Sequence, residues 1–231
     1  MKIGKRLKDI YKKYDKNKFF DLSQAIDLLK EVHKVKFDES VDIDVRLNVD
    51  PKKAEQNIRA TVNLPNGNGK TKRILVIAKS EKLKEAEDLK VDFCGAEDMI
   101  EKINGGWFGF DVMIATPDMM KYLGKIGKVL GPRGLMPNPK AGTVTVDIKK
   151  AVNDIRNGKV EFRVDSYGII HFCVGRISFE KEKLLENIKT FFDTLIKIKP
   201  STVKGSFIKS LSITSTMGPG LKIALLNLIN K

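Results

Sequence analysis

From Val41 to Val49 apolar and polar side chains alternate without a break: Val41, Ile43, Val45, Leu47 and Val49 stand against Asp42, Asp44, Arg46 and Asn48. A period of two predicts a strand with one face buried and the other wet. Beyond Pro51 the alternation recurs in Ile58, Ala60, Val62 and Leu64. At Ile74 the grammar changes. Ile74 to Ala78 is apolar throughout, and shorter apolar runs follow at Val91 to Cys94 and Val112 to Ala115, separated by helical stretches near Ser80 to Leu89 and Ala96 to Ile103. Strands apolar on both faces and alternating with helices predict a parallel sheet covered on both sides. After Asn157-Gly158 the first grammar returns in Lys159 to Val164, Ile169 to Val174 and Phe207 to Thr214. The first two of these runs, joined by Asp165-Ser-Tyr-Gly168, are expected to pair as an antiparallel hairpin.

One kind of sheet at both ends and another between them implies a discontinuous α+β two-layer domain formed by both chain ends, with an inserted α/β Rossmann-like parallel-sheet domain. The boundaries are residues 1–66 plus 159–231 for the first and 67–158 for the second, and 231 residues are enough for both cores. Both crossings carry Asn-Gly, Asn66-Gly67 and Asn157-Gly158, which suits a two-stranded hinge. Helices are expected over the basic amino-terminal arm (Ile3, Ile10 and Tyr14 among Lys12, Lys13 and other cations), from a capping box at Asp21 and Gln24 to about Lys36, and from about Glu180 to Ile198.

Charge then narrows the partners. The chain carries 43 Lys and Arg against 29 Asp and Glu, net +14, of which +10 falls on the two terminal stretches and +4 on the insert. An excess of that size points to a polyanion such as nucleic acid, and to the terminal domain as its main site. No apolar run approaches the roughly 18 residues that span a bilayer, so no membrane partner is expected. Cys94 and Cys173 form no CxxC pair, and His33 and His171 have no metal partners at usable spacing, so no metal site is expected. Gly69-Lys70-Thr71 lacks the first glycine of a phosphate loop, and no nucleophile motif is present, so neither a cofactor nor a catalytic residue can be named.

Lys125 to Thr143 is a shaped, positive segment. It packs four glycines, three prolines and four cations into nineteen residues with no acid, presenting Lys128, Arg133 and Lys140 to an anion or to another part of the chain. Ser210 to Gly220 ends an alternating strand in hydroxyls and a Met-Gly-Pro-Gly turn, a chemistry suited to sugar and phosphate oxygens.

Lys36-Phe-Asp-Glu-Ser40, the run from Gly131 to Thr143 (GPRGLMPNPKAGT) and Ser215-Thr-Met-Gly-Pro219 together give the chain a family likeness. It resembles, over nearly its whole length, the large-subunit ribosomal proteins of the mobile stalk beside the tRNA exit (E) site, the family called large-subunit protein one, in its bacterial type. The resemblance implies a structural, non-enzymatic protein of the cytoplasmic large ribosomal subunit that binds rRNA, helps release E-site tRNA, represses its own operon mRNA, and is monomeric when free. Carried over by motif, the RNA face comprises Lys36, Phe37, Ser40, Asp165, Ser210, Thr216, Met217 and Gly218. Gly218 is expected there because a missing side chain lets RNA approach the backbone. The competing class is a nucleotide- or nucleic-acid-acting enzyme with a Rossmann-like domain.

Overall fold

The computed structural model describes residues 5–11, 14–15 and 18–225. In chain order the elements begin with α1 (Lys5–Tyr11), β1 (Phe19–Phe20), α2 (Leu22–Val32), β2 (Ser40–Leu47) and β3 (Arg59–Asn63). There follow β4 (Ile74–Ile77), α3 (Ser80–Asp88), β5 (Phe93–Gly95), α4 (Glu97–Asn104), β6 (Val112–Ala115), α5 (Met120–Lys125), α6 (Gly127–Leu130) and α7 (Ile148–Arg156). The last are β7 (Lys159–Arg163), β8 (Ile169–Arg176), α8 (Lys181–Lys197), β9 (Ile208–Ser215) and β10 (Leu221–Ile223). The chain divides into two compact units, one drawn from Met1–Gly69 with Phe162–Lys231, the other from Lys70–Glu161.

In the unit built from the two ends, a five-stranded sheet runs β1-β10-β9-β2-β8. β10, β9, β2 and β8 are antiparallel neighbours, and β1 joins β10 in parallel. Alternation does what it predicts: Val41, Ile43, Val45, Ile170, Phe172, Val174, Leu211 and Ile213 all face inward and are buried. Against them pack Ala25, Ile26, Leu29 and Val32 of α2 and Leu184, Ile188, Phe191 and Leu195 of α8, at the three-and-four spacing of one helix face. Phe191 stacks on Phe172 with ring centres 4.4 Å apart, and Phe162 meets Phe191 edge-on at 5.2 Å.

Two expectations change. β7 and β8 do not form a hairpin ladder: they meet only at a single bridge, Val164 to Ile170, after which β8 pairs with β2 while β7 and β3 make a separate two-stranded sheet. The turn chemistry was right and the partner was not, because β2 offers β8 a long, half-buried edge. α2 ends at Val32, four residues before Lys36, and although Asp21 occupies its N-cap position, the side chain makes no capping hydrogen bond. In the amino-terminal arm Ile10 and Tyr14 are buried as expected, while Ile3, Lys12 and Lys13 lie outside the described residues.

Asn187 lies on the apolar face of α8 with no exposed surface. Its amide donates to the carbonyls of Gly67 and Val174, both at 2.8 Å, and its carbonyl accepts from the Asn66 amide at 3.1 Å. Leu at this position fills a similar volume but strands three backbone groups. Asn187→Leu should therefore lower stability by on the order of 3 kcal/mol in a urea titration, and an unchanged midpoint would contradict the clamp.

In the central unit a three-stranded parallel sheet has the order β5-β4-β6. Its apolar runs are buried on both sides. Leu75, Ile77, Met113 and Ala115 pack with Met99, Ile103, Leu123 and Leu130 of α4, α5 and α6, while Ile74, Val76 and Ile114 pack with Ala86 of α3 and Ile148, Val152 and Ile155 of α7. Val144 adds to this sheet only a single parallel bridge to Ala115. No described helix is long and apolar enough to cross a membrane.

Candidate nucleic-acid interface

The parity that buries one face of the five-stranded sheet sets a polar row on the other. β2 contributes Asp42, Asp44 and Arg46, β9 contributes Ser210, Ser212 and Thr214, and β8 contributes His171 and Cys173, all half-buried or exposed. The register aligns them: Asp44 stands between His171 and Ser212, Asp42 between Cys173 and Thr214, and Arg46 beside Ser210.

One end of this face is closed by the chain on either side of it. The Thr216 amide donates to the Ser40 carbonyl at 3.1 Å, and the Ser40 amide donates to the Thr216 hydroxyl oxygen at 3.0 Å. The turn after β9 is closed by the Gly218 amide on the Ser215 carbonyl at 2.9 Å. Beneath it lies Glu39, which is 2% exposed. Its carboxylate accepts from the Met217 amide at 2.9 Å and the Ser215 hydroxyl at 3.0 Å, and pairs with His33 Nδ1 at 2.8 Å. Burial pulls the Glu39 pKa up, and the bonds from His33, Ser215 and Met217 outweigh it, leaving the carboxyl below its ordinary range. Arg176 reaches the Asp38 carbonyl and, at 3.0 Å, the Ser40 hydroxyl. At this end Phe37 and Met217 are 51% and 47% exposed, and Lys36, next to Phe37 in the chain, is exposed as well.

The chain matches the model of the Ribosomal protein L1p/L10e family over residues 29–219. It belongs to that family. The matched span runs from within α2, through the central unit, to the end of the Thr-Met-Gly turn. As an L1-family member the protein is a structural component of the cytoplasmic large ribosomal subunit, binds rRNA, and is not an enzyme.

Of the eight residues singled out in this L1 chain, Ser40, Thr216, Met217 and Gly218 meet at the closed end, and Lys36 and Phe37 lie on the segment that leads into Ser40. Asp165 and Ser210 lie toward the other end, about 20 Å away by the length of β2. Gly218 does not have the left-handed φ that would by itself demand glycine. Its constraint is internal, since an added Cβ would stand 2.2 Å from Ser215 Oγ. Sequence reasoning missed Glu39 and Ser215, yet parity could have found them. Glu39 is two residues before Val41 and Ser215 two after Ile213, so both continue the buried face.

At the far end Asp165 accepts from the amides of Tyr167 at 2.9 Å and Ile169 at 2.7 Å, shaping the turn into β8. His171 bridges Asp44 at 2.6 Å through Nδ1 and Asp165 at 3.5 Å through Nε2. The hydrogen bond to Asp44 is the main cause of a raised His171 pKa; partial burial opposes it and Asp165 adds to it. A proton held more tightly by the folded chain stabilises fully below the ordinary histidine value of about 6.5, and that contribution is lost as pH rises through the raised value. The ring is 60% exposed, so solvent keeps the effect small. An NMR titration should put the His171 midpoint above about 6.5 and move it back toward that value in Asp44→Asn; an unshifted wild-type midpoint would contradict the pairing.

The basic segment of the central unit is not a featureless loop. Residues Gly127–Leu130 form α6, and Pro139–Ala141 form one turn of 3-10 helix whose first amide is capped by Asn138. Leu130, Leu135 and Met136 anchor it in the core, whereas Val129 is exposed. The Arg133 guanidinium lies 3.8 Å over the ring centre of Phe108, while Lys128 and Lys140 are exposed on its two helical turns. The expected hinge residues sit within the units. Asn66 and Gly67 are held by Asn187, and Asn157 and Gly158 close α7 through amide bonds to Asn153 and Ile155. The chain passes between units at Gly69–Lys70 and Glu161–Phe162. No cluster of three or more metal-ligating side chains exists among the described residues.

Proposed function

We propose that the polar sheet face, with its Thr-Met-Gly end, is the surface that binds large-subunit rRNA. The unit formed from both chain ends would be an independently folding, discontinuous domain carrying a Rossmann-like insert. On this proposal the protein, of the bacterial type and monomeric when free, sits at the mobile stalk and assists release of deacylated tRNA from the E site. It also represses its own operon mRNA through the same face.

The observation that carries the proposal is the closed end of the sheet. Phe37 and Met217 are exposed over a backbone held by hydrogen bonds, with Lys36 and the Ser40 and Thr216 hydroxyls beside them. An aromatic and a thioether offer contact to unstacked bases, hydroxyls match ribose 2′-OH groups, and lysine supplies affinity that salt screens. In the central unit Arg133, stacked on Phe108, has its plane fixed and its N–H edge available for a phosphate, with Lys128 and Lys140 adding charge; these are the proposed tRNA contacts. The chain crossings just outside the two Asn-Gly pairs would serve as the hinge.

Competition tests the shared face. The messenger leader should displace the rRNA fragment stoichiometrically, and Lys36→Ala should weaken both complexes while lowering the magnitude of the log affinity against log salt slope by about 1. Simultaneous binding of the two RNAs, or an unchanged slope, would overturn the assignment.

A further inference from the structure

We infer that Glu39 is the positioning residue of the RNA-binding turn, a specificity determinant that acts without touching RNA. The inference rests on the proposal that the Thr-Met-Gly turn meets rRNA.

Three facts point to it. The carboxylate is 2% exposed, so it has no surface to offer a ligand. It is shared among three elements: His33 at the end of α2, Ser215 at the end of β9, and the Met217 amide in the turn, at 2.8, 3.0 and 2.9 Å. The Met217 amide can only donate, and the Ser215 hydroxyl donates here too, so the site calls for an acceptor with several lone pairs, which an ionised carboxylate supplies. A buried acid is costly unless such donors compensate it, and here they also fix the donors' own positions. Because Glu39 directly precedes Ser40, whose backbone pairs with Thr216, one short segment orients Ser40, Thr216, Met217 and Gly218 together.

Electrostatics gives this role a signature of its own. Removing an acid near a polyanion-binding surface should strengthen RNA binding if the residue matters only through its charge. Positioning predicts the opposite sign.

Glu39→Leu keeps similar bulk and removes every acceptor. In the full-length protein it should weaken the specific rRNA fragment about 100-fold, while binding of an unrelated RNA at matched salt stays equal or tightens. Glu39→Gln retains one acceptor for Met217 and should lose roughly tenfold, which keeps the test open should the leucine variant fold poorly. The Met217 amide signal of the free protein should shift in both variants and lose exchange protection in Glu39→Leu, a readout that needs no RNA. Met217→Ala runs alongside. If Met217→Ala binds the rRNA fragment like wild type, the turn is not the RNA surface. If Met217→Ala loses binding while Glu39→Gln, folded, binds the specific fragment as well as or better than wild type, the positioning role is overturned.

Discussion

Gly218→Val is expected to abolish specific binding of the rRNA fragment while lowering stability by about 1–3 kcal/mol, the usual range for overpacking a well-ordered site. The cause lies inside the protein before it lies at the RNA. A Cβ at Gly218 would stand 2.2 Å from Ser215 Oγ, and Ser215 is 3% exposed with its hydroxyl committed to Glu39. Turning that hydroxyl aside breaks the bond to the buried carboxylate; leaving it in place displaces the turn. Either way Thr216 and Met217 lose their fixed positions. Gly218→Ala combined with Ser215→Ala separates the two roles of the glycine. Deleting the hydroxyl leaves Ser215 Cβ as the nearest side-chain atom, at 3.3 Å, which relieves most of the clash. The pair should therefore regain stability over Gly218→Ala alone. If RNA also lies against the Gly218 backbone, binding is not regained. Wild-type affinity of Gly218→Val at matched salt would remove the turn from the recognition surface altogether.

Much of this fold could be read from local pattern because parity and burial coincide in it. Ile74 to Ile77 carries no polar residue since both faces of β4 are covered, and Val41 to Leu47 alternates since one face is not. What the pattern could not supply were partners distant in the chain. β1 is two residues long and pairs with β10 about 200 residues later, so nothing local marks either as a strand. β8 was legible as a strand, but its preference for β2 over β7 is a competition between edges that only the assembled sheet decides. The end of α2 differs from its sequence pattern for a related reason. Val35 continues the apolar period, yet the chain leaves the helix at His33, whose ring meets Glu39.

The candidate site was legible as motifs but not as a frame. Lys36, Phe37 and Met217 are exposed and chemically conspicuous, so composition and resemblance reach them. Glu39, Ser215 and Asn187 are buried polar residues on apolar faces, detectable only by asking why a polar side chain occupies an inward position. Asn187 answers that question for the chain at Asn66 and Gly67, and Glu39 answers it for the turn. Each is a fully hydrogen-bonded polar group whose loss would leave backbone donors or acceptors buried and unpaired.

The proposal that rRNA recognition resides in the unit built from both chain ends has a direct measurement. That unit contains the five-stranded sheet, both helices that cover it and all eight proposed RNA-contact residues. It also holds most of the net charge. Residues 1–69 joined to 162–231 by a short glycine-serine linker should fold cooperatively, because the core of Phe162, Phe172, Phe191 and Ile43 lies wholly within them. In a filter-binding titration against the specific rRNA fragment, the joined unit should bind within about tenfold of the full chain, a difference of about 1.4 kcal/mol. Residues 70–161 alone should show only weak, salt-sensitive binding that does not distinguish this fragment from unrelated RNA. Specific binding by the central unit, together with its loss from a folded joined unit, would contradict the assignment.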